Sequence, residues 1–260
     1  MSAETVPTGI RIARLWLAGR GLAEVPPTPG LAARLTVRRR ARVAAAVALA
    51  VFLVAVALVN VAQLPSDATD DELGAGRLVA LLGLVALVLA LVLTLSLLDR
   101  WVWRVDQRAA AALARRAAHP VRPDWRSVLG RARAAFLVTT FAAATVLAIA
   151  NLVVRDSTAR YAAIIQVVGL CGLAVGTALQ LRHVLTRPVV ADDENSLTVD
   201  HLMRVEDARE VAVPTAVWSL PVVSVFATGL DSWNYAWLAF IVLSVVALVA
   251  ITVATARGAR

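Results

Sequence analysis

Residues 78–98 read LVALLGLVALVLALVLTLSLL, and this uncharged stretch decides the class of fold. It is long enough to cross a bilayer as a helix, because about 20 residues rising 1.5 Å each span a hydrocarbon core of roughly 30 Å. The same property recurs along the chain. It predicts an all-α integral membrane protein with six transmembrane helices, at 43–64, 78–98, 134–154, 161–181, 211–230 and 233–256.

The fifth of these runs, 211–230, is the weakest, because Pro214 and Pro221 interrupt it. Proline removes a backbone donor, so a spanning helix that contains it depends on neighbouring helices to satisfy the freed carbonyls. Six spans in three in–out–in hairpins are expected. A re-entrant fifth segment is the alternative.

The composition supports this class. Hydrophobic residues make up 60% of the 260 residues, whereas an ordinary soluble domain is about 45–50% apolar. This excess excludes an ordinary globular protein. All 26 basic residues are Arg, a bias typical of GC-rich bacterial genomes.

The distribution of Arg predicts the orientation, since cytoplasmic segments carry the excess of basic residues. With the amino terminus inside, 23 Arg lie in inner segments and three in outer loops. Both termini are therefore expected in the cytoplasm, and the bacterial cytoplasmic membrane is the expected location. The net charge of +8 then reflects topology, and no nucleic acid is predicted as a partner. The partner that these spans predict directly is the lipid bilayer.

The predicted divisions are a cytoplasmic segment 1–41, a membrane domain 42–256 and a short tail 257–260. Within the first, 9–20 combines Arg on one side with Trp16 and Ile on the other, which is typical of a helix lying in the membrane interface. A mobile basic tail is the alternative. Trp101, Trp103 and Trp233 fall near the ends of predicted spans, as an aromatic belt would.

Two longer cytoplasmic segments, 99–133 and 182–210, differ in charge. The first is basic, while the second has four Arg against seven Asp and Glu. This contrast suggests docking between cytoplasmic elements or onto a partner, with a solvated loop as the alternative. The candidate docking residues are Arg115, Arg116, Asp192, Asp193, Glu194, Glu206 and Asp207.

Polar and small residues inside the predicted spans point to contacts between helices. Asn60, Asn151 and Gln166 are expected to face other helices, although a polar substrate path remains open. Gly169, Gly172 and Gly176 form a small-residue face, for packing within the bundle or for a dimer.

No catalytic, cofactor-binding or metal-binding motif is found, and no enzyme activity is predicted. Acidic residues cluster at 192–194 without the glycine and spacing of a calcium loop. The expected function is that of an accessory, scaffold or regulatory membrane subunit acting through helix and loop contacts.

The general plan resembles that of the membrane subunits of ABC-2-type exporters, which have six spans, an inside amino terminus and an interfacial helix. Here the helix at 9–20 and the segment 99–133 occupy comparable places. The chain departs from that plan in a very short connection near Asp231 and a long third inner segment. The resemblance implies an alternative function: a permease subunit driven by a separate ATPase, since no phosphate-binding loop is present here.

Overall fold

The computed structural model describes residues 8–62, 70–111, 124–154, 157–187, 189, 191, 193–223 and 232–257. All regular structure within these ranges is helical. In chain order the helices are α1 (Thr8–Ala18), α2 (Pro29–Val61), α3 (Asp70–Ala111), α4 (Trp125–Val128), α5 (Arg131–Leu152), α6 (Ser157–Thr186), α7 (Glu194–Val211), α8 (Thr215–Ser219) and α9 (Ser232–Arg257).

Five of the described helices are long and apolar enough to cross a membrane, as predicted for an all-α membrane protein. They correspond to Pro29–Val59, Leu82–Ala111, Arg131–Leu152, Ala159–Thr186 and Ser232–Arg257. Their outward faces carry many exposed aliphatic side chains, such as Val47, Val51 and Leu93. Such faces are costly in water and natural against lipid.

The apolar run 211–230 differs from the other five. α7 ends at Val211, α8 covers only Thr215–Ser219, and the described part of this run stops at Val223. Pro214 and Pro221 bracket α8, so a continuous helix through the segment is not seen. The described residues therefore show five apolar helices, and six spans are not confirmed.

Two helices extend well beyond the hydrophobic runs that predicted them. α2 begins at Pro29, before the apolar run that starts at 43, and α3 continues past Leu98 to Ala111. Hydropathy marks only the lipid-facing part of a helix, whereas the backbone stays helical until a breaker or cap intervenes. As a result, charged residues of the predicted cytoplasmic segments lie on the same rigid helices as the apolar spans.

The bundle has one continuous apolar core. α2 packs along α3, α5 along α6, α3 against α6, and α9 against α5. Leu220 and Val223, which follow α8, are buried in this core with Val56 of α2 and Val88 of α3. Two further apolar clusters lie at one end, where α1 packs on α2 and α7, and where α4 meets α6 and α7.

Candidate functional site

Seven ionisable side chains form a cluster at the end of the bundle where α2 begins and α6 ends. We call this the charge cluster and that end of the molecule the charged end. All members except Asp207, which is half-buried, are buried. The charge cluster consists of Arg34 and Arg38 from α2, Asp106 from α3, Arg187 just after α6, and Asp200, Arg204 and Asp207 from α7.

Arg38 is held on two edges by two carboxylates. Its Nε and Nη2 donate to the two oxygens of Asp207 at 2.9 Å each. Its Nη1 and Nη2 donate to the two oxygens of Asp106 at 3.0 and 2.7 Å. Bidentate pairing of this kind fixes orientation as well as charge.

Asp106 is the central anion of the cluster. Besides Arg38, it accepts from Arg34 Nε at 2.9 Å and from Arg187 Nη1 at 3.1 Å. Arg34 reaches onward to Asp200 at 2.8 Å. One α3 side chain therefore joins α2, α6 and, through Arg34, α7.

Arg204 of α7 contacts mainly backbone carbonyls at the carboxyl end of α6. It donates to the carbonyls of Val184, Leu185 and Arg187 at 3.1, 3.3 and 3.1 Å. The carbonyls of Val184 and Leu185 lie in the last turn of α6, where acceptors lack a partner within the helix, and Arg187 follows directly. Arg204 thus anchors α7 to the end of α6.

The pairing between α2 and α7 follows one register. Arg34 pairs with Asp200, Arg38 with Asp207, and the exposed Arg42 with Glu210. Residue numbers rise together on both helices, so the two run parallel along this contact.

The amino-terminal helix joins the same assembly. The indole Nε1 of Trp16 donates to Glu206 at 3.1 Å, and Arg20 Nε donates to the same carboxylate at 2.5 Å. The Arg20 guanidinium also lies 4.0 Å from the centre of the Trp16 ring. Leu17 is buried beside Met203 of α7. The apolar side of α1, predicted to meet the membrane interface, therefore packs in part on protein.

Two carboxylates of the α7 region have shifted pKa values. Burial acts to raise the pKa of Asp207, but the charge and hydrogen bonds of Arg38 and the charge of Arg187 outweigh it and lower the pKa. Hydrogen bonds from Ser196 lower the pKa of Asp193, which caps the first turn of α7. Both carboxylates are therefore held in the charged form.

A cavity of about 540 Å³ adjoins the charge cluster. Its inner wall is apolar, with Leu49, Val92, Phe141, Leu173 and Val217. Its outer wall is polar and takes in Arg38, Asp99, Trp103, Asp106, Gln180, His183, Arg187 and Asp207.

Within the described chain, Arg187 keeps an unused edge. Its Nη1 contacts Asp106 at 3.1 Å and Asp207 at 2.5 Å. Its Nε and Nη2 are buried without a hydrogen-bond partner among the described residues. One turn earlier, His183 stacks on Trp103 with ring centres 4.3 Å apart, and its Nε2 is likewise buried and unpartnered in the described part.

The predicted interhelical residues are placed as follows. Asn151 is buried, and its Nδ2 donates to the Ala159 carbonyl at 3.3 Å, which joins the end of α5 to the start of α6. Gln166 is fully buried in the bundle. Asn60 lies near the end of α2, and its side chain is outside the described ones.

The three glycines of α6 have different surroundings. A Cβ at Gly169 would lie 2.9 Å from Val88 and 3.0 Å from Leu220, and one at Gly172 would lie 3.2 Å from Val92. A Cβ at Gly176 would meet nothing within 4 Å, since this residue lines the cavity. The close approach therefore involves α3 and the residues after α8.

The predicted interface tryptophans share no single environment. Trp101 is exposed, Trp233 is half-buried, and Trp103 stacks on His183. The interfacial role assigned to these residues, and to Trp16, stays a prediction.

The predicted docking residues also lie in different environments. Glu206 and Asp207 pair with Arg residues of the same chain, Asp193 caps α7, and Glu194 is exposed. Arg115, Arg116 and Asp192 lie outside the described residues. The acidic residues of α7 thus pair with Arg20, Arg38 and Arg187 of the same chain, and docking onto the segment 99–133 or onto a partner stays a prediction.

Sequence reasoning missed most of the charge cluster, although a signal was present. Arg34, Arg38 and Arg42 recur every four residues, and Asp200, Asp207 and Glu210 recur at spacings of seven and three. Both spacings place side chains on one face of a helix. Two oppositely charged faces of this kind predict a helix pair.

No family model, curated protein or solved structure matches this chain. Within the described residues, no group of three or more His, Cys, Asp or Glu is placed to hold a metal ion. Interpretation therefore depends on the geometry of the charge cluster and the cavity.

Proposed function

We propose that the chain is a membrane subunit without catalytic activity that contacts a partner through a rigid platform at its charged end. The observation that carries this proposal is the charge cluster, which ties α2, α3 and α7 to the end of α6, while Glu206 of α7 joins α1 to the same body. A platform that is braced in this way can transmit a contact at its surface to the apolar helices.

The proposal includes six membrane crossings. Arg133 at the start of α5 lies 3.4 Å from Thr252 near the end of α9, so these helices run antiparallel. α9 would then begin at the end opposite the charged end. Thr215 lines the cavity near the charged end, while Leu220 packs deeper at Gly169. The greater depth of Leu220 supports a fifth segment that crosses the bilayer as an interrupted helix.

The proposal also assigns the charged end to the cytoplasm of a bacterial cell. The count of 23 Arg on that side against three on the other supports this orientation. Arg residues that pair inside the charge cluster still count, because the asymmetry acts during insertion.

The test is affinity purification from native membranes in a mild detergent, followed by mass spectrometry. The variant Arg11→Glu with Arg14→Glu reverses two exposed charges on α1, and the control Arg160→Glu reverses one exposed charge at the start of α6. We expect a stoichiometric membrane partner with the wild type and with Arg160→Glu, and its loss with the double variant. Recovery of the wild type alone would contradict the platform proposal.

A permease subunit of an exporter is the second candidate. The amphipathic cavity favours it, because its volume of about 540 Å³ lies within the range of roughly 300–1,000 Å³ typical of ligand sites. Co-elution of a stoichiometric ATPase in the same experiment would select this function over the first.

A further inference from the structure

We propose that the cavity at the charged end binds an anionic amphiphile, whose phosphate or carboxylate group contacts Arg187 and His183 and whose apolar chain lies toward the inner wall. This binding site is independent of which of the two functions holds. It follows from the hydrogen-bonding state, the charge and the shape of the cavity.

The first observation is the free edge of Arg187. Nε and Nη2 lie on the same side of a guanidinium and form a fork that matches two oxygens of a carboxylate or phosphate. Both atoms are buried, and no described residue accepts from them. A buried donor without an acceptor destabilises the fold, so an oxyanion at this edge would remove a penalty.

The second observation is the charge of the cluster. Four Arg stand against three Asp, so the charge cluster carries a formal surplus of one positive charge, and its unused donors are on Arg187. Two further carboxylates line the cavity, and each has a partner: Asp99 accepts from Gln180, and Glu210 pairs with Arg42. Asp106 and Asp207 occupy only Nη1 of that residue. A bound anion would bring the buried cluster close to neutrality.

The third observation is the second donor beside it. His183 Nε2 is buried and without an acceptor in the described part of the chain, and stacking on Trp103 holds its ring in place. A neutral imidazole can donate from Nε2. Arg187 and His183 are one helical turn apart and line the same wall.

The fourth observation is the apolar inner wall. Leu49, Val92, Phe141, Leu173 and Val217 offer no polar side-chain group to a ligand. A free inorganic anion would leave that space unused, whereas the chain of an amphiphile would bury apolar surface there, which is favourable. The two walls together therefore specify a head and a tail.

The test measures binding of dihexanoyl-phosphatidic acid to the full chain in an uncharged maltoside detergent, by isothermal titration calorimetry. Uncharged dihexanoylglycerol, which lacks the phosphate, and inorganic phosphate are titrated in parallel. We expect saturable binding of the phosphatidic acid, at least about tenfold tighter than either comparison ligand, since one good charged contact corresponds to a tenfold change or more.

Three variants locate the site. Arg187→Gln removes the fork and should weaken phosphatidic acid binding about tenfold or more, whereas the exposed Arg182→Gln on the same helix should leave it unchanged. Gly176→Phe fills the cavity without touching the charge cluster, so it keeps the proposal testable if Arg187→Gln fails to fold. It should abolish binding of the amphiphile.

Any of three results would overturn the proposal. The first is equal affinity for phosphatidic acid and dihexanoylglycerol, which would show that the fork does not recognise the phosphate. The second is unchanged affinity in Gly176→Phe, which would place the ligand elsewhere. The third is that inorganic phosphate binds as tightly as phosphatidic acid, which would show that the apolar wall does not contribute to binding.

Discussion

At the scale of single residues, the charge cluster depends on Asp106 more than on any other carboxylate. Three arginines converge on this one side chain, and all four groups are buried. Removing one member of a buried ionic network leaves charges in a low-dielectric site without compensation. Exposed pairs have no such dependence, because water solvates whichever partner is left.

The substitution Asp106→Asn should therefore lower the free energy of unfolding by about 3–5 kcal/mol. The matched control is Glu210→Gln, which breaks the half-exposed pair with Arg42 and should cost about 0–1 kcal/mol. Thermal unfolding in detergent, compared across the wild type and both variants, measures the difference. Similar losses in the two variants would show that burial of the cluster adds nothing to its importance.

The lowered pKa of Asp207 predicts a specific acid sensitivity. Burial opposes ionisation, but Arg38 and Arg187 favour it more strongly, so the folded protein has a lower pKa at Asp207 than the unfolded chain. Stability from this group is present above the unfolded value of about 3.9 and is lost as the pH falls through the folded pKa. No contribution from Asp207 should be lost between about pH 5 and 8.

Unfolding temperatures measured from neutral pH downward test this expectation in the wild type and in Asp207→Asn. The variant should be less stable at neutral pH and should lose less additional stability in acid. An identical loss of stability in acid for both proteins would contradict the pKa argument.

At the scale of helices, Gly169 and Gly176 predict opposite responses to the same substitution. A Cβ at Gly169 meets Val88 at 2.9 Å and Leu220 at 3.0 Å, while one at Gly176 meets no atom within 4 Å. Gly169→Ala should destabilise by about 1–3 kcal/mol through overpacking. Gly176→Ala should be neutral or stabilise by up to about 1 kcal/mol, because alanine favours helix.

Thermal unfolding of the two alanine variants measures this contrast, with Gly172→Ala expected between them because its Cβ would lie 3.2 Å from Val92. A uniform effect at all three positions would show that the glycines act through backbone flexibility instead of through close helix packing.

The helices themselves were largely predictable from sequence, whereas the charge cluster was not. Five of the predicted spans and the helix at 9–20 follow from hydropathy and spacing, which are properties of a single segment. The pairing of Asp106 with three arginines depends on how α2, α3 and α6 pack together. The boundary at Leu98 concealed it further, because hydropathy ends there while α3 continues to Ala111.

The run 211–230 shows the reverse situation. Its composition predicted a span interrupted at its prolines, and in the described part the helix is broken: α8 lies between Pro214 and Pro221, and the backbone is helical again at Val222 and Val223. The proline ring removes donors at these two positions, so helical continuity fails even though the segment packs into the core through Leu220 and Val223. The apolar character of the segment predicted that it is buried, but it did not predict where its helix is broken.

At the scale of the whole molecule, the number of crossings decides on which side α9 begins. Six crossings place Ser232 on the face opposite the charged end, while a re-entrant segment 211–230 places it on the same face as Ser127 of α4. The contact between Arg133 and Thr252 favours the first arrangement, because it makes α9 antiparallel to α5.

Cysteine labelling in intact cells separates these arrangements. Cys171 is the single cysteine of the chain, so Cys171→Ala provides a background into which Ser66→Cys, Ser127→Cys and Ser232→Cys are introduced one at a time. With a membrane-impermeant maleimide, we expect labelling at 66 and 232 without permeabilisation and at 127 only after it. Ser127 and Ser232 are both exposed, so a negative result reflects the membrane and not burial in the protein. If position 232, like position 127, is labelled only after permeabilisation, the segment 211–230 returns to the side on which it entered.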